Sequence, residues 1–128
     1  LATAAQDGVI SLCGEDVPCG RYAAGALTAA GVTIPETSVT RGQNVTATLT
    51  ALTEGDAVAA IVYATDALAA GDAVTTIKIP ADHNVIASYP IAAVSGSEHA
   101  DLANAFVEAV LSDAGQQILE TYGFLLPQ

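Results

Sequence analysis

Positive charge is almost missing from this chain. Arg21, Arg41 and Lys78 are its three Lys/Arg cations against 14 acidic residues, for a formal net charge of −11 over 128 residues. Nucleic-acid binding needs a cationic footprint that releases phosphate counterions, so that class is excluded, and an anionic membrane surface is disfavoured on the same ground. No run of about 18 apolar residues occurs, so no segment is written to span a membrane. Residues 1–30 lack the basic start and following apolar stretch of a signal peptide. Methionine is absent and the chain starts at Leu1, which reads as a processed or truncated product. What is present is a folding composition: hydrophobic residues make up 52% and charged residues 13%, far from the balance of a disordered chain. The acidity keeps an exported protein soluble. An anionic ligand would have to be held by local dipoles, not by overall charge.

Cysteine is nearly absent too, with Cys13 and Cys19 the only two. Their spacing is too wide for a C-x-x-C redox motif, and no second pair completes a zinc site. A short-loop disulfide fits an exported protein better. It would stabilise by about 2 kcal/mol on the chain-entropy model. A redox protein using free Cys13 and Cys19 thiols stays open as the rival reading.

The pattern alternates strands and helices. Residues 9–13 (VISLC) suit a buried strand. Pro18 suits a helix start, residues 20–30 are good helix formers, and Gly31 is a stop. Residues 32–40 are a loop or short strand. A second helix is expected over 42–54, with Val45, Leu49 and Leu52 on one face, a cap at Thr40 or Ser38, and Gly55 at its end. Residues 57–63 (AVAAIVY) suit a strand covered on both faces, followed by a short helix capped by Thr65 or Asp66 and ending at Gly71. Residues 74–79 alternate as a strand does, and 88–94 form an edge or crossover strand because of Pro90. Residues 98–111 place Leu102, Phe106 and Val110 on one helical stripe. Ser112 caps a last helix over 113–122 with Ile118, Leu119 and Tyr122 inward. The fold class is α/β with a largely parallel sheet.

In such a fold, ligands bind at the carboxyl ends of strands against helix N-termini. Three places qualify. Val17-Pro18-Cys19-Gly20 opens a helix after a strand, and the free N–H groups of a first turn favour negative charge. Gly42-Gln43-Asn44-Val45 opens the next helix. Tyr63 ends a strand with a phenol that donates. Together they describe a neutral site of N–H and O–H donors, suited to a fully ionised tetrahedral oxyanion. Catalytic patterns are missing: no H-E-x-x-H, G-x-S-x-G or G-x-x-x-x-G-K-[ST] occurs, and the acidic residues have no calcium-loop spacing. His83 and His99 lie in polar contexts and read as solvated surface residues. Asn44-Val45-Thr46 matches a glycosylation sequon and is discounted because it falls in a helix. Arg41 at a helix start opposes the dipole; it either pairs with a carboxylate or adds attraction for an anion.

The residues Cys13, Val17-Pro18-Cys19-Gly20-Arg21-Tyr22-Ala23 and the run from Asp56 through Tyr63 to Ala67 resemble the molybdate-binding proteins of ABC importers. The ending Phe106-Val107, Leu111-Ser112-Asp113-Ala114-Gly115-Gln116-Gln117-Ile118-Leu119 and Tyr122-Gly123-Phe124 is similar to a wider group, the type II solute-binding proteins for sulfate, iron and polyamines. The resemblance covers the whole chain. It implies two α/β lobes joined by crossover strands, of which residues 1–87 supply most of the second lobe. Residues 88–128 supply a crossover strand and the C-terminal helices that return to the first lobe. It implies oxyanion contacts from the main-chain N–H groups of Cys19 and Val45 and from the Tyr63 phenol, with no cation, no catalytic residue, no cofactor and no metal except molybdenum inside the oxyanion.

The implied function is capture of molybdate, and of tungstate, outside the cytoplasm. The protein would be periplasmic or lipid-anchored at the cell surface, would deliver to a membrane permease, and would not be an enzyme. The rivals are a binder of another oxyanion such as sulfate, and a secreted redox or structural domain. The family usually carries a small residue where Cys19 stands, which a main-chain contact tolerates. Its other contacts are hydroxyls near the start of the mature chain, in an N-terminal portion of the first lobe expected to be missing here, so the site is expected to be partial.

Overall fold

Val9–Cys13 forms the first strand, β1, and its burial follows from its position. It is the middle strand of a three-stranded parallel sheet of order β2-β1-β3, where β2 is Val39–Gly42 and β3 is Ala57–Ala60. Successive side chains of a strand point to opposite faces. Ile10 and Leu12 therefore share one face and Ser11 and Cys13 the other, and all four are buried. The register pairs Ile10 with Val39 and Cys13 with Gly42 on one side, and Val9 with Ala57 on the other, with an irregularity after Val9. The structure, a computed structural model, describes residues 1–127. It comprises two units, Leu1–Ala87 and Ser88–Gln128.

Helices cover both faces of the sheet in the first unit. Helix α2 (Pro18–Ala29) has Pro18 at its start, as expected, and ends before Gly31 at φ +63°. It buries Ala23 against Ile10 and Leu12, with Leu27, Ile34 and the short helix α1 (Ala4–Asp7) closing the cluster. Alanines on α2 let the helix lie close to the strand. Helix α3 (Val45–Thr53) packs on the opposite face through Thr48, its one buried residue. The expected stripe of Val45, Leu49 and Leu52 is only half-buried. The start and cap also differ. The chain stays extended through Gly42 in the β1 ladder, so the helix cannot begin there, and Asn44 rather than Thr40 or Ser38 caps it.

Further corrections follow from pairing. Strand β3 stops at Ala60, because Ile61 makes the last link to β1 by donating its N–H to Ser11 O at 3.2 Å. Tyr63 consequently caps helix α4 (Ala64–Ala70) in place of Thr65 or Asp66. Val58 is half exposed at 48%, so β3 is an edge strand and not one covered on both faces. Residues 74–79 and 88–94 form no strand: alternation alone is insufficient without a neighbour to supply ladder hydrogen bonds, and Ile77 is 86% exposed.

The second unit holds α5 (Ala100–Leu111) and α6 (Asp113–Thr121), which pack on each other. Ser112 caps α6 as predicted, its hydroxyl accepting from the Gly115 N–H at 3.2 Å and donating to Ala109 O at 2.7 Å. Phe124 meets Tyr89 edge to face at 5.7 Å. Two helices bury little of each other's surface. Ile118 and Tyr122, expected inward, are therefore exposed, as are Leu102 and Phe106 of the expected α5 stripe. Among the described residues no helix is long and apolar enough to cross a membrane.

Candidate functional site

Because the strands are parallel, Cys13, Gly42 and the residues after Ala60 reach the same edge of the sheet, and each is followed by a helix start. The three places picked out from sequence therefore share one edge.

At the first, Pro18 has no N–H to offer, and the N–H groups of Gly20 and Arg21 both turn back to Val17 O at 3.1 Å. The Cys19 N–H is left as the first-turn donor without a backbone acceptor among the described residues. The turn is tightly built. Cys13 and Cys19 form a disulfide, Gly14 donates to Gly42 O at 2.8 Å, and Val17 donates to Gly14 O at 3.2 Å. Gly20 is needed here because a Cβ would run into the Gly14 carbonyl. The disulfide expectation holds, and the described residues include no free cysteine.

At the second place, Asn44 Oδ1 accepts from the Ala47 N–H at 2.9 Å, and Asn44 O accepts from Thr48 N–H at 3.0 Å. The Val45 and Thr46 N–H groups remain without backbone acceptors among the described residues. This is the usual condition of a helix start and the reason such a start attracts anions. Asn44, set aside above as a sequon residue, uses its side chain as the helix cap.

At the third, the Tyr63 ring meets Tyr22 of α2 edge to face, with centroids 6.2 Å apart and an interplanar angle of 67°. Asp66 follows in the first turn of α4. Burial pushes its carboxyl up from its ordinary value, against hydrogen bonds from its own and the Tyr63 backbone N–H groups. Its Oδ2 is buried without a hydrogen-bond partner.

Arg41 resolves in favour of pairing. It lies on β2, not at a helix start, and grips Glu36 with two hydrogen bonds, Nε to Oε1 at 2.9 Å and Nη2 to Oε2 at 2.8 Å. Nη2 also reaches Glu15 at 3.2 Å, and Nη1 donates to Cys13 O at 3.0 Å. The hydrogen bond from Arg41 holds the Glu36 carboxyl below its ordinary range and raises Arg41 in turn. Arg21 donates to Asp16 O at 3.0 Å. The charge near the first helix start is thus engaged in holding the loop.

A cavity of about 260 Å³ lies beside this start, lined by Leu12, Glu15, Gly20, Arg21, Leu27 and Arg41 among others. A larger, shallow depression of about 640 Å³ in the second unit is lined mainly by Leu102, Ala103, Ala105 and Phe106 and holds none of the three donors. His99 begins α5 and is exposed. His83 is half-buried rather than fully solvated, with Nε2 3.6 Å from Asp82 and a buried Nδ1. Sequence reasoning placed Asn44 at the helix start but missed its capping role, for which its preference for helix caps was a usable signal. It also missed Thr48, which carries no local signal.

A parallel sheet with helix N-termini ranged along its carboxyl edge is the architecture in which open α/β folds bind their ligands. The chain belongs to the bacterial extracellular solute-binding protein family, whose profile matches residues 2–125. It is 32% identical over 118 residues to the molybdate-binding protein ModA of Mycobacterium tuberculosis, covering 92% of this chain and 44% of that protein. It is 34% identical over 109 residues to ModA of Haemophilus influenzae, covering 84% of this chain and 42% of that protein. It is 30% identical over 111 residues to YvgL of Bacillus subtilis, a putative ABC transporter substrate-binding lipoprotein, covering 86% and 43% respectively. The chain thus spans less than half the length of the relatives it matches.

Proposed function

We propose that this chain forms the oxyanion-holding lobe of a receptor that captures molybdate, and tungstate with it, outside the cytoplasm and hands it to the membrane permease of an ABC transporter. One observation carries this reading: the unengaged first-turn N–H groups of Cys19 and Val45 lie along one edge of one parallel sheet, with Tyr63 at the same edge. The two dipolar helix starts offer donors only, and the phenol adds a hydroxyl that can donate to the same anion. Such a set favours an anion that is fully ionised at neutral pH over one that keeps a proton and needs an acceptor. The names of the mycobacterial and Haemophilus relatives support molybdate as that anion. The lipoprotein relative supports a surface-anchored or periplasmic location. The reading is a binding one, without catalytic residue or cofactor, and with an N-terminal lobe contributing further hydroxyls.

The redox rival needs an accessible thiol of depressed pKa, whereas Cys13 and Cys19 are paired and buried. The test is calorimetric titration of the full-length protein with molybdate, repeated in excess sulfate. Tight binding that survives sulfate is the expected result. Binding abolished by sulfate moves the ligand to a smaller oxyanion. Absence of heat, together with a melting temperature that no small anion shifts, removes the binding function.

A further inference from the structure

We infer that Thr48 is a positioning residue that sets the spacing between the two helix-start donors, and through it the size of oxyanion the site accepts; this rests on the oxyanion reading above. Thr48 is completely buried and faces the sheet from α3. Its hydroxyl oxygen lies 3.0 Å from Asn44 O and 3.3 Å from Cys13 Sγ. The single proton goes to the carbonyl, the stronger acceptor, and the sulfur packs against the same oxygen. Asn44 is the residue before Val45, and Cys13 is covalently joined to Cys19. One hydroxyl therefore touches both the cap that carries the Val45 N–H and the disulfide that carries the Cys19 N–H.

The rest of Thr48 is tied to the sheet. Its carbonyl accepts from Ser11 Oγ at 2.9 Å, a buried bond between α3 and the central strand. On its remaining side Gly42 fits because a Cβ there would collide with the Thr48 hydroxyl. A threonine that bonds its own i−4 carbonyl needs no further partner to be satisfied. The contact with the disulfide is what a merely satisfied threonine does not require. A buried hydroxyl at this point costs desolvation that an apolar residue of equal volume avoids. Sulfate and molybdate share charge and shape and differ in size, so telling them apart requires donors held at a fixed separation. A frame that gives way can close on the smaller ion.

The test compares molybdate and sulfate affinities in the full-length protein, in Thr48→Val and in Thr48→Ser. Valine keeps the volume, and Asn44 O still accepts the residue-48 N–H, so the fold is retained. Thr48→Val is expected to reduce the molybdate-over-sulfate affinity ratio about tenfold, the scale of one hydrogen bond. Thr48→Ser should restore it to within about twofold, since it keeps the hydroxyl. A second route leaves Thr48 in place: replacing both Cys13 and Cys19 by Ala cuts the other end of the bridge and should lower the ratio in the same direction. A ratio unchanged in Thr48→Val and in the double cysteine variant overturns the inference while leaving the oxyanion reading intact. So does an equal loss for both anions in Thr48→Val that serine also shows. Absence of binding in the unsubstituted protein defeats that reading and this inference with it.

Discussion

The ring of Tyr63 stands edge to face against the ring of Tyr22, 6.2 Å between centroids. The contact joins α2 to the cap of α4, so the Tyr63 phenol is carried by a ring already held in place. Tyr63→Phe keeps the ring contact and removes only the hydroxyl. Oxyanion binding should weaken by about 1–3 kcal/mol, the scale of a hydrogen bond to a charged group. Calorimetry reads this directly, and an unchanged affinity removes Tyr63 from the site.

Cys19 is expected to serve the ligand through its main chain, which no side-chain change removes. Cys19→Ala should therefore still bind molybdate, with a loss of stability of about 2 kcal/mol from opening a small covalent loop. Paired melting and titration measurements separate the two effects. A large loss of affinity at unchanged stability would contradict the main-chain role.

Gly20 and Asn44 hold the two helix starts in different ways. Gly20→Ala drives a methyl group into the Gly14 carbonyl and should destabilise by about 2–4 kcal/mol, as overpacking against backbone does. Asn44→Ala loses the cap on Ala47 and should cost about 1 kcal/mol. Chemical denaturation of the two variants should rank them in that order.

Arg41 and Glu36 make stability depend on pH. The folded carboxyl of Glu36 is held below its ordinary value by the Arg41 hydrogen bond. Its contribution is therefore present above the unfolded glutamate pKa and is lost as pH falls through the depressed folded value. Arg41→Gln should flatten this acid-side segment of the stability profile. At neutral pH the loss should be small, because exposed ion pairs are screened, and it comes chiefly from the Cys13 carbonyl losing its donor. Melting temperatures taken down the acid range test the sign: a steeper acid loss in the variant would refute it.

Burial of Asp66 acts in the opposite sense. Its folded carboxyl is raised, so across the window between the unfolded and folded values the native state binds more protons, and stability should fall as pH rises. Asp66→Asn should remove that slope, which the same pH series reads.

Much of this molecule was legible in one dimension. The apolar run Val9–Cys13, the Pro18 helix start, the Ser112 cap and the α/β alternation depend on local chemistry, and local chemistry is written in the residues. The two cysteines and the helix-opening turns marked the candidate site for the same reason. The alternating stretch 74–79 misled because a strand exists only by pairing, and pairing is not local. The stripe on α5 and α6 misled because a periodic apolar face states what a helix can bury and not what arrives to cover it.

By itself, then, the sequence determined an α/β chain with first-turn N–H donors at its helix starts. Only the tertiary structure decided how those donors are framed. Parallel pairing in the order β2-β1-β3 brings the starts after Cys13 and Gly42 to one edge. Contacts across 28 and 35 positions of sequence, Arg41 to Cys13 and Thr48 to Cys13, then lock that edge. Such contacts leave no periodic trace, because each depends on two distant residues meeting only once the chain has folded.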